Sequence, residues 1–465
     1  MNRLLSFVLF ALLVSCSKTS PPTPEPSTEP DAAPPAMSTE FNDKASDVAV
    51  TSSGDVLVVG LTVGSHNEGL EPIDFWFIRR YGVEGNLKWQ ERMDRCKNTP
   101  LTAGPVEPGS LVSCRDSSVS VASDDGGNAY VLSRTFAEYA YGDTVTLSYL
   151  SKYAADGTRL WDHRVAEFRS GDQGQSGRRI TDFAVGMDGS AYLIAPGAVK
   201  TTNRQNATLL KYGADGLKLW EKPGGLPDTD TVVVSGKNVY TAGVTDNETD
   251  KDTDNATTEL HKLTTDGDPL WARTLPSPGY DEFVSLAVSG EAHVYVVTGV
   301  ADTGRSYYDG TATITKFSGA GALLWIETLT PEPYWGLSGA AADAQGRLYL
   351  VGTAERVGEV DTEFSSFGYV LRYSPEGARD WFAPLQGTGP RGVLGATAKP
   401  LGVATTLTRD SYGNPQTRLY VAGVAEQRNS SWPDDAFLLS ANDRSDEPTL
   451  EETYPGSLEA FWVNR

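Results

Sequence analysis

Asp250, Asp252 and Asp254 stand at alternate positions in the run 245–255, TDNETDKDTDN. Alternating carboxylates suit a hard divalent cation, because a tight loop can turn their oxygens to one side. The pattern departs from a calcium loop further on. His261 stands where a bidentate Glu is wanted, and Glu259 falls two positions short of it. Two readings follow, a Ca2+ site and an exposed acidic loop, and the missing Glu favours the loop; no other cofactor is expected. Gly387-Thr-Gly-Pro-Arg-Gly392 spells GxGxxG, but dinucleotide binding needs a strand before it and a helix after it. Pro390 and the surrounding strand patterns deny that context, so an inter-strand loop is expected. His66, His163, His261 and His293 are scattered and form no short ligand pair. No Gly-x-Ser-x-Gly is present, so a nucleophile elbow lacks its motif.

The elements that must position these residues come from a phrase used six times. It is a basic residue, an aromatic or Leu, three residues, Gly, three residues, Trp. Its copies end at Trp89, Trp161, Trp220, Trp271, Trp325 and Trp381, at intervals of 72, 59, 51, 54 and 56 residues. Upstream of each lies a strand shaped like VYxxG: VLVVG at 56–60, then AYVLS, AYLIA, VYTAG, VYVVT, LYLVG and, at 419–423, a seventh copy, LYVAG. Alternating apolar residues mark half-buried strands, and Asp-Gly favours a tight hairpin with positive backbone dihedrals. Each unit then holds about four short strands, SDVAV, DVLVVG, DFWFIRRY and LKWQER in the first. One such unit cannot bury its own faces, whereas stacked copies share a core with each Trp wedged between neighbours. Four strands per repeat suit a propeller blade; tandem sandwiches would each need roughly 100 residues. The expectation is an all-β, seven-bladed β-propeller over residues 41–465.

These residues resemble the bacterial β-propeller repeats of secreted proteins and lipoproteins, the SBBP type. More distantly they resemble the quinoprotein-like repeat with its Gly-x-x-x-Trp docking motif. The resemblance covers about residues 45–440 and implies fold rather than activity, because no quinoprotein metal site or acidic base has a matching constellation here.

Met1–Ser15 carries Arg3 and an apolar run from Leu4 to Val14, too short to span a bilayer and suited to a signal peptide. It ends in Leu13-Val14-Ser15-Cys16, which resembles the bacterial lipobox. The resemblance implies a diacylglyceryl thioether on Cys16, a further acyl chain on its amine and, with Ser17 following, an outer-membrane lipoprotein. More than one chain is needed for stable anchoring. Residues 16–40 are rich in Pro, Ser, Thr and Glu and read as an extended tether. Net charge is −22, which argues against nucleic-acid and anionic-lipid partners. Cys96 and Cys114 form an even pair in an oxidising compartment, closing a loop of about 18 residues worth roughly 3 kcal/mol.

The basic residues Arg80, Lys152, Lys211, Lys262, Lys316 and Arg372 precede the aromatic position of each phrase. An anion-binding ring is one reading; a structural role, through an acidic neighbour or a covering stem, fits a feature present in every blade better. At the far end, Gly456–Val463 is expected to supply the last outer strand of blade seven, with blades one and seven closing the ring by face packing. A strand shared by Ser38–Lys44 is the competing device. In function the chain reads as a non-enzymatic binding or scaffold module for other envelope proteins, attached to the membrane through its lipid. Its oligomeric state is left open. The Cys96–Cys114 insertion and the loop at 245–255 are the expected contacts. The alternatives are a channel-mouth enzyme (lyase, glycosidase or quinoprotein-like) and a carbohydrate adhesin using Tyr139, Tyr141, Tyr307, Tyr308 and Trp432. Convergent His, Arg, Tyr and carboxylates in the axial channel would favour the enzyme; a Ser, Thr, Gly and apolar lining would favour the scaffold.

Overall fold

The computed structural model describes residues 42–63, 74–98, 111–139, 143–171, 174–177, 180–195, 199–200, 203–204, 207–226, 228–245, 257–276, 283–299, 312–329, 335–357, 364–388, 394–409, 412–427 and 435–443. They form a seven-bladed β-propeller of antiparallel four-stranded blades. Blade one is Asn42–Val50, Val56–Val63, Asp74–Tyr81 and Leu87–Met93, paired in that order from the axis outward. These are the strands expected from SDVAV, DVLVVG, DFWFIRRY and LKWQER. The inner strands of successive blades lie side by side around the ring. Blade two gains a fifth strand, Gly174–Gly177, on its outer edge, and the outer strand of blade six, Arg379–Thr388, pairs with the start of the inner strand of blade seven, Leu394–Arg409. Three strands of blade seven fall within the described residues, ending at Asp443.

Ring closure is by face packing. Ala45, Val48, Val58 and Phe77 of blade one form one buried cluster with Tyr420, Ala422 and Leu438 of blade seven. The backbones come so close that a Cβ on Gly402 would lie 2.9 Å from the Asp47 Cα. Asn42–Lys44 pair with Val63–Leu61, so they belong to blade one and complete no strand of blade seven. Ser38–Phe41 and Gly456–Val463 lie outside the described residues.

The hairpin turns differ from the expected Asp-Gly pair. At Gly213–Leu217 the Gly213 N–H donates to the Leu217 carbonyl and the Gly216 N–H to the Gly213 carbonyl. Gly216 alone takes positive φ, +81°. This is a type I turn followed by a left-handed glycine and a bulge, not a two-residue mirror-image turn. The bulge reappears as the register shift between Lys211 and Tyr212. Its twist still matches that of the strands, so the expected hairpin forms with one positive φ, at Gly216, rather than two.

Candidate functional site: the blade junctions and the blade-two extension

Trp89, Trp161, Trp220, Trp271 and Trp325 each leave their own blade and cover the turn of the next. Trp89 donates its indole N–H to Ala155 O at 2.9 Å, Trp161 to Ala214 O at 3.0 Å, Trp271 to Gly319 O at 3.4 Å and Trp325 to Pro375 O at 2.9 Å. Beneath each indole lies the turn glycine: a Cβ on Gly157, Gly216, Gly321 or Gly377 would stand 2.9–3.0 Å from it. Trp220 covers Gly267 the same way, at 2.9 Å. Most of these indoles also meet a tyrosine of their own blade edge-on, as Trp271 does with Tyr240 at 6.2 Å and Trp381 with Tyr349 at 6.3 Å. In the phrases of blades two to five, therefore, the glycine receives one neighbour and the tryptophan reaches toward the other. The indoles are half-buried wedges.

The basic residues belong to the same joints. Lys152, Lys262 and Lys316 donate to the turn carbonyls that accept the indoles, Ala214 O at 3.2 Å, Gly319 O at 2.7 Å and Pro375 O at 2.7 Å. Lys211 donates to Thr265 O at 2.9 Å. Each ammonium also lies 4.8–5.4 Å from the centroid of its blade's tyrosine ring. Burial pushes the Lys316 ammonium below its usual range. Arg80 donates to Gly127 O at 2.6 Å and pairs with Asp55 at 2.8 Å; Arg372 pairs with Asp380 at 2.9 Å. These cations are spent inside the structure, which excludes an open ring of positive charge.

At the inner rim two carboxylates stitch neighbouring inner strands. Asp47 accepts from the Val48 N–H at 2.8 Å, the Ser120 hydroxyl at 2.5 Å and the Val121 N–H at 2.9 Å. Asp182 accepts from the Phe183 N–H at 2.8 Å, the Thr231 hydroxyl at 3.0 Å and the Val232 N–H at 2.9 Å. Burial pushes both carboxyls up against these donors, Asp182 to about 6, with the Asp47 charge adding to it. The signal was the shared aspartate of SDVAV and TDFAV, although nothing in either strand alone says that its partner is the next blade. The positions matching Asp47 and Asp182 in the other five inner strands carry Ser120, Thr231, Ser285, Gly339 and Gly402. Of the histidines, His163 stacks on Trp161 at 5.3 Å, while His261 pairs with Glu259 at 2.9 Å and His293 with Glu291 at 3.6 Å. They sit in three different blades, and none joins the rim carboxylates.

Blade two departs most from the repeat. Its four strands, Leu111–Ser123, Ala129–Tyr139, Thr144–Tyr153 and Arg159–Gly171, run 10–13 residues and carry their own apolar cluster of Ala137, Tyr139, Val145, Leu147 and Tyr149. The short helix Arg95–Asn98 is stapled to this sheet by the Cys96–Cys114 disulfide. Arg95 is the pin. It forks onto Asp162 through two contacts of 2.7 Å, lies 3.8 Å over the Tyr149 ring, and gives its backbone N–H to Asp116 at 2.5 Å. Burial raises Asp162, but the Arg95 fork outweighs it and holds the carboxyl below its usual range. Asp116, which also takes the Thr135 hydroxyl at 2.6 Å, is pushed up by burial. Asp94, Cys96 and Asp116 converge closely enough to ligate a metal, yet the Cys96 sulfur is committed to the disulfide. Sequence reasoning missed Arg95, which resembles any other surface arginine until the helix folds back.

Tyr139 is buried in that cluster at 7 % exposure, so it is no carbohydrate platform. Tyr141, Tyr307, Tyr308, Trp432, Asp250, Asp252, Asp254, His66 and Cys16 lie outside the described residues. Gly387 and Thr388 are strand residues paired with Ala396 and Leu394, and the next described element, Leu394–Arg409, is a strand rather than the helix that dinucleotide binding needs; Gly389–Gly392 lie outside the described residues. Asn98 and Leu111, Val63 and Asp74, and Thr245 and Thr257 bound long connections at one face of the ring, while the opposite face carries mainly short turns.

No protein-family model matches the chain, and no curated protein is similar to it. Among solved structures, the β-propeller domain of the Trilobed protease from Pyrococcus furiosus is 9 % identical, covers 88 % of this chain and 95 % of its own, and gives a TM-score of 0.47. A protein of unknown function from Dyadobacter fermentans is 12 % identical over 87 % of this chain and 95 % of its own, at 0.41. The Pan2 WD40 domain of Neurospora crassa is 9 % identical over 69 % and 81 %, at 0.36. Likenesses this distant carry no argument about ligand or reaction.

Proposed function

We propose that this chain is an outer-membrane lipoprotein, anchored through Cys16, whose propeller is a non-enzymatic scaffold for another envelope protein. The observation behind this reading is the blade-two extension. It is a rigid projection with its own apolar cluster, a disulfide and a buried Arg95 pin, and none of these is needed to close a blade. Loops and extensions held on a stiff frame are where binding residues concentrate. The enzyme reading draws on Asp47 and Asp182, but their oxygens are already filled by strand amides and hydroxyls. Ser, Thr and Gly at the matching rim positions also fit the scaffold.

The test places a photo-crosslinking residue at the exposed Arg115 of the extension and, as a control, at the exposed Leu217 of blade three. One discrete adduct from Arg115 in intact membranes, lost in Cys16→Ala with release of the chain from the membrane, is the expected result. Equal or absent adducts at both positions would overturn the scaffold reading; membrane retention of Cys16→Ala would overturn the anchor.

A further inference from the structure

The helix that carries Cys96 is fastened to blade two by more than sulfur. Arg95 forks onto Asp162, lies over the Tyr149 ring and gives its backbone N–H to Asp116. Its side chain also donates to Ser151 Oγ at 3.3 Å, and the residue is 4 % exposed. Bidentate guanidinium–carboxylate pairs are among the stronger and more directional polar contacts. The partners Asp116, Tyr149, Ser151 and Asp162 all belong to strands of blade two, so this anchorage does not depend on the Cys96–Cys114 bond.

Two carboxylates converge on the same sulfurs. Ligand atoms of Asp94, Cys96 and Asp116 all lie within 4.8 Å of one another, and Cys114 is bonded to Cys96. Donors on one tetrahedral zinc stand roughly 3.4–3.8 Å apart, because Zn–S is about 2.3 Å and Zn–O about 2.0–2.2 Å. Asp116 is 1 % exposed and is oriented from behind. The Thr135 hydroxyl donates to one of its oxygens at 2.6 Å and the Arg95 N–H to the other at 2.5 Å. Each oxygen keeps a further lone pair, and ligating carboxylates are held by outer hydrogen bonds of this kind. Asp94, Cys96 and Cys114 are half-buried, which gives an ion a way in.

We infer that the Cys96–Cys114 disulfide is the closed form of a metal site, and that in the reduced chain Cys96, Cys114, Asp94 and Asp116 bind one thiophilic divalent cation of the zinc class. Opening takes two electrons and two protons from a dithiol: the S–S bond breaks, two thiols form, and the dithiol becomes a disulfide. Because Arg95 keeps the helix on the sheet, the ligands stay together. Binding then releases both thiol protons to solvent. Two thiolates select zinc-class ions over Ca2+ and Mg2+, which prefer all-oxygen shells. The Arg95 charge beside Asp116 offsets part of the negative surplus of two thiolates and two carboxylates around a dication.

Cobalt is the probe, in the full-length Cys16→Ala chain, where Cys96 and Cys114 are the remaining cysteines. After reduction with dithiothreitol and its removal without oxygen, one equivalent of Co2+ should give thiolate-to-cobalt charge transfer and the visible bands of a tetrahedral ion. Zn2+ should displace it, and an excess of about a hundredfold Ca2+ should not. Asp116→Asn and Asp94→Asn keep the disulfide, so their oxidised forms report folding separately. Once reduced, each should bind cobalt about tenfold more weakly or worse, and Asp94→Asn serves if Asp116→Asn does not fold. Absent charge transfer in the reduced chain, a cobalt shared between two chains, displacement by Ca2+, or wild-type affinity in either folded variant would overturn the assignment.

Discussion

Replacing Asp182 by Asn tests whether the inner rim stores a pH-dependent cost. In the folded ring the Asp182 carboxyl is pushed by burial from 3.8 to about 6. A group that binds its proton more tightly when folded stabilises the fold fully below its unfolded pKa, and that contribution is lost as pH rises through the folded value. Wild-type stability should therefore fall between about pH 4 and pH 6 and level off above. A shift of roughly two units at about 1.4 kcal/mol each sets a ceiling near 3 kcal/mol. Because the side chain is only half-buried, water at the rim should reduce this to about 1–2 kcal/mol. Asn keeps one oxygen for the Val232 N–H and the Thr231 hydroxyl but turns an amide toward the Phe183 N–H, at a cost of about 1 kcal/mol at every pH. The diagnostic is thus the difference between wild type and variant, not either value alone. Urea unfolding at steps between pH 4 and pH 7 should show Asp182→Asn gaining about 1–2 kcal/mol relative to wild type as pH rises. Parallel stability profiles would refute the reasoning and leave Asp182 an ordinary ionised acceptor.

Other perturbations bear on the joints and the extension. Cys96→Ser with Cys114→Ser should lower stability by roughly 3 kcal/mol for a separation of 18 residues, and reductant should bring wild-type calorimetric melts down to the variant's. Trp271→Ala should cost about 2–3 kcal/mol, since the ring is half-buried and loses its contact with Tyr240, whereas Trp271→Phe should recover most of it in the same melts. Gly321→Ala and Gly413→Ala share a positive φ, +80° and +85°, but a methyl at Gly321 meets the Trp271 indole at 3.0 Å while one at Gly413 meets nothing within 4 Å. Both should lose about 1 kcal/mol to backbone strain, and only Gly321→Ala should lose more, as read by chemical unfolding.

The blades were legible because their signals are local: alternation within a strand and a fixed distance from glycine to tryptophan. Which neighbour each signal serves was not. A phrase such as KYGADGLKLW does not reveal that Gly216 belongs to the joint with Trp161 while Trp220 belongs to the joint over Gly267. The lysines were expected to meet acids or cover apolar surface. Lys152 does lie 3.4 Å from Asp124, but the lysines also donate to turn carbonyls of the next blade, a partnership between residues 54–62 positions apart. Position-by-position comparison fails in blade seven, where the cation moves from the third strand to Arg418 on the second. Arg95 was invisible for a related reason: its partners Asp116 and Asp162 come from the following blade.

The division of labour between Gly216 and Trp220, or Gly321 and Trp325, makes each of blades two to five both lock and key. A copy inserted in tandem would arrive with the half-joint its predecessor needs and the half-joint its successor expects. Such a ring can change its circumference by whole units without inventing a new contact surface.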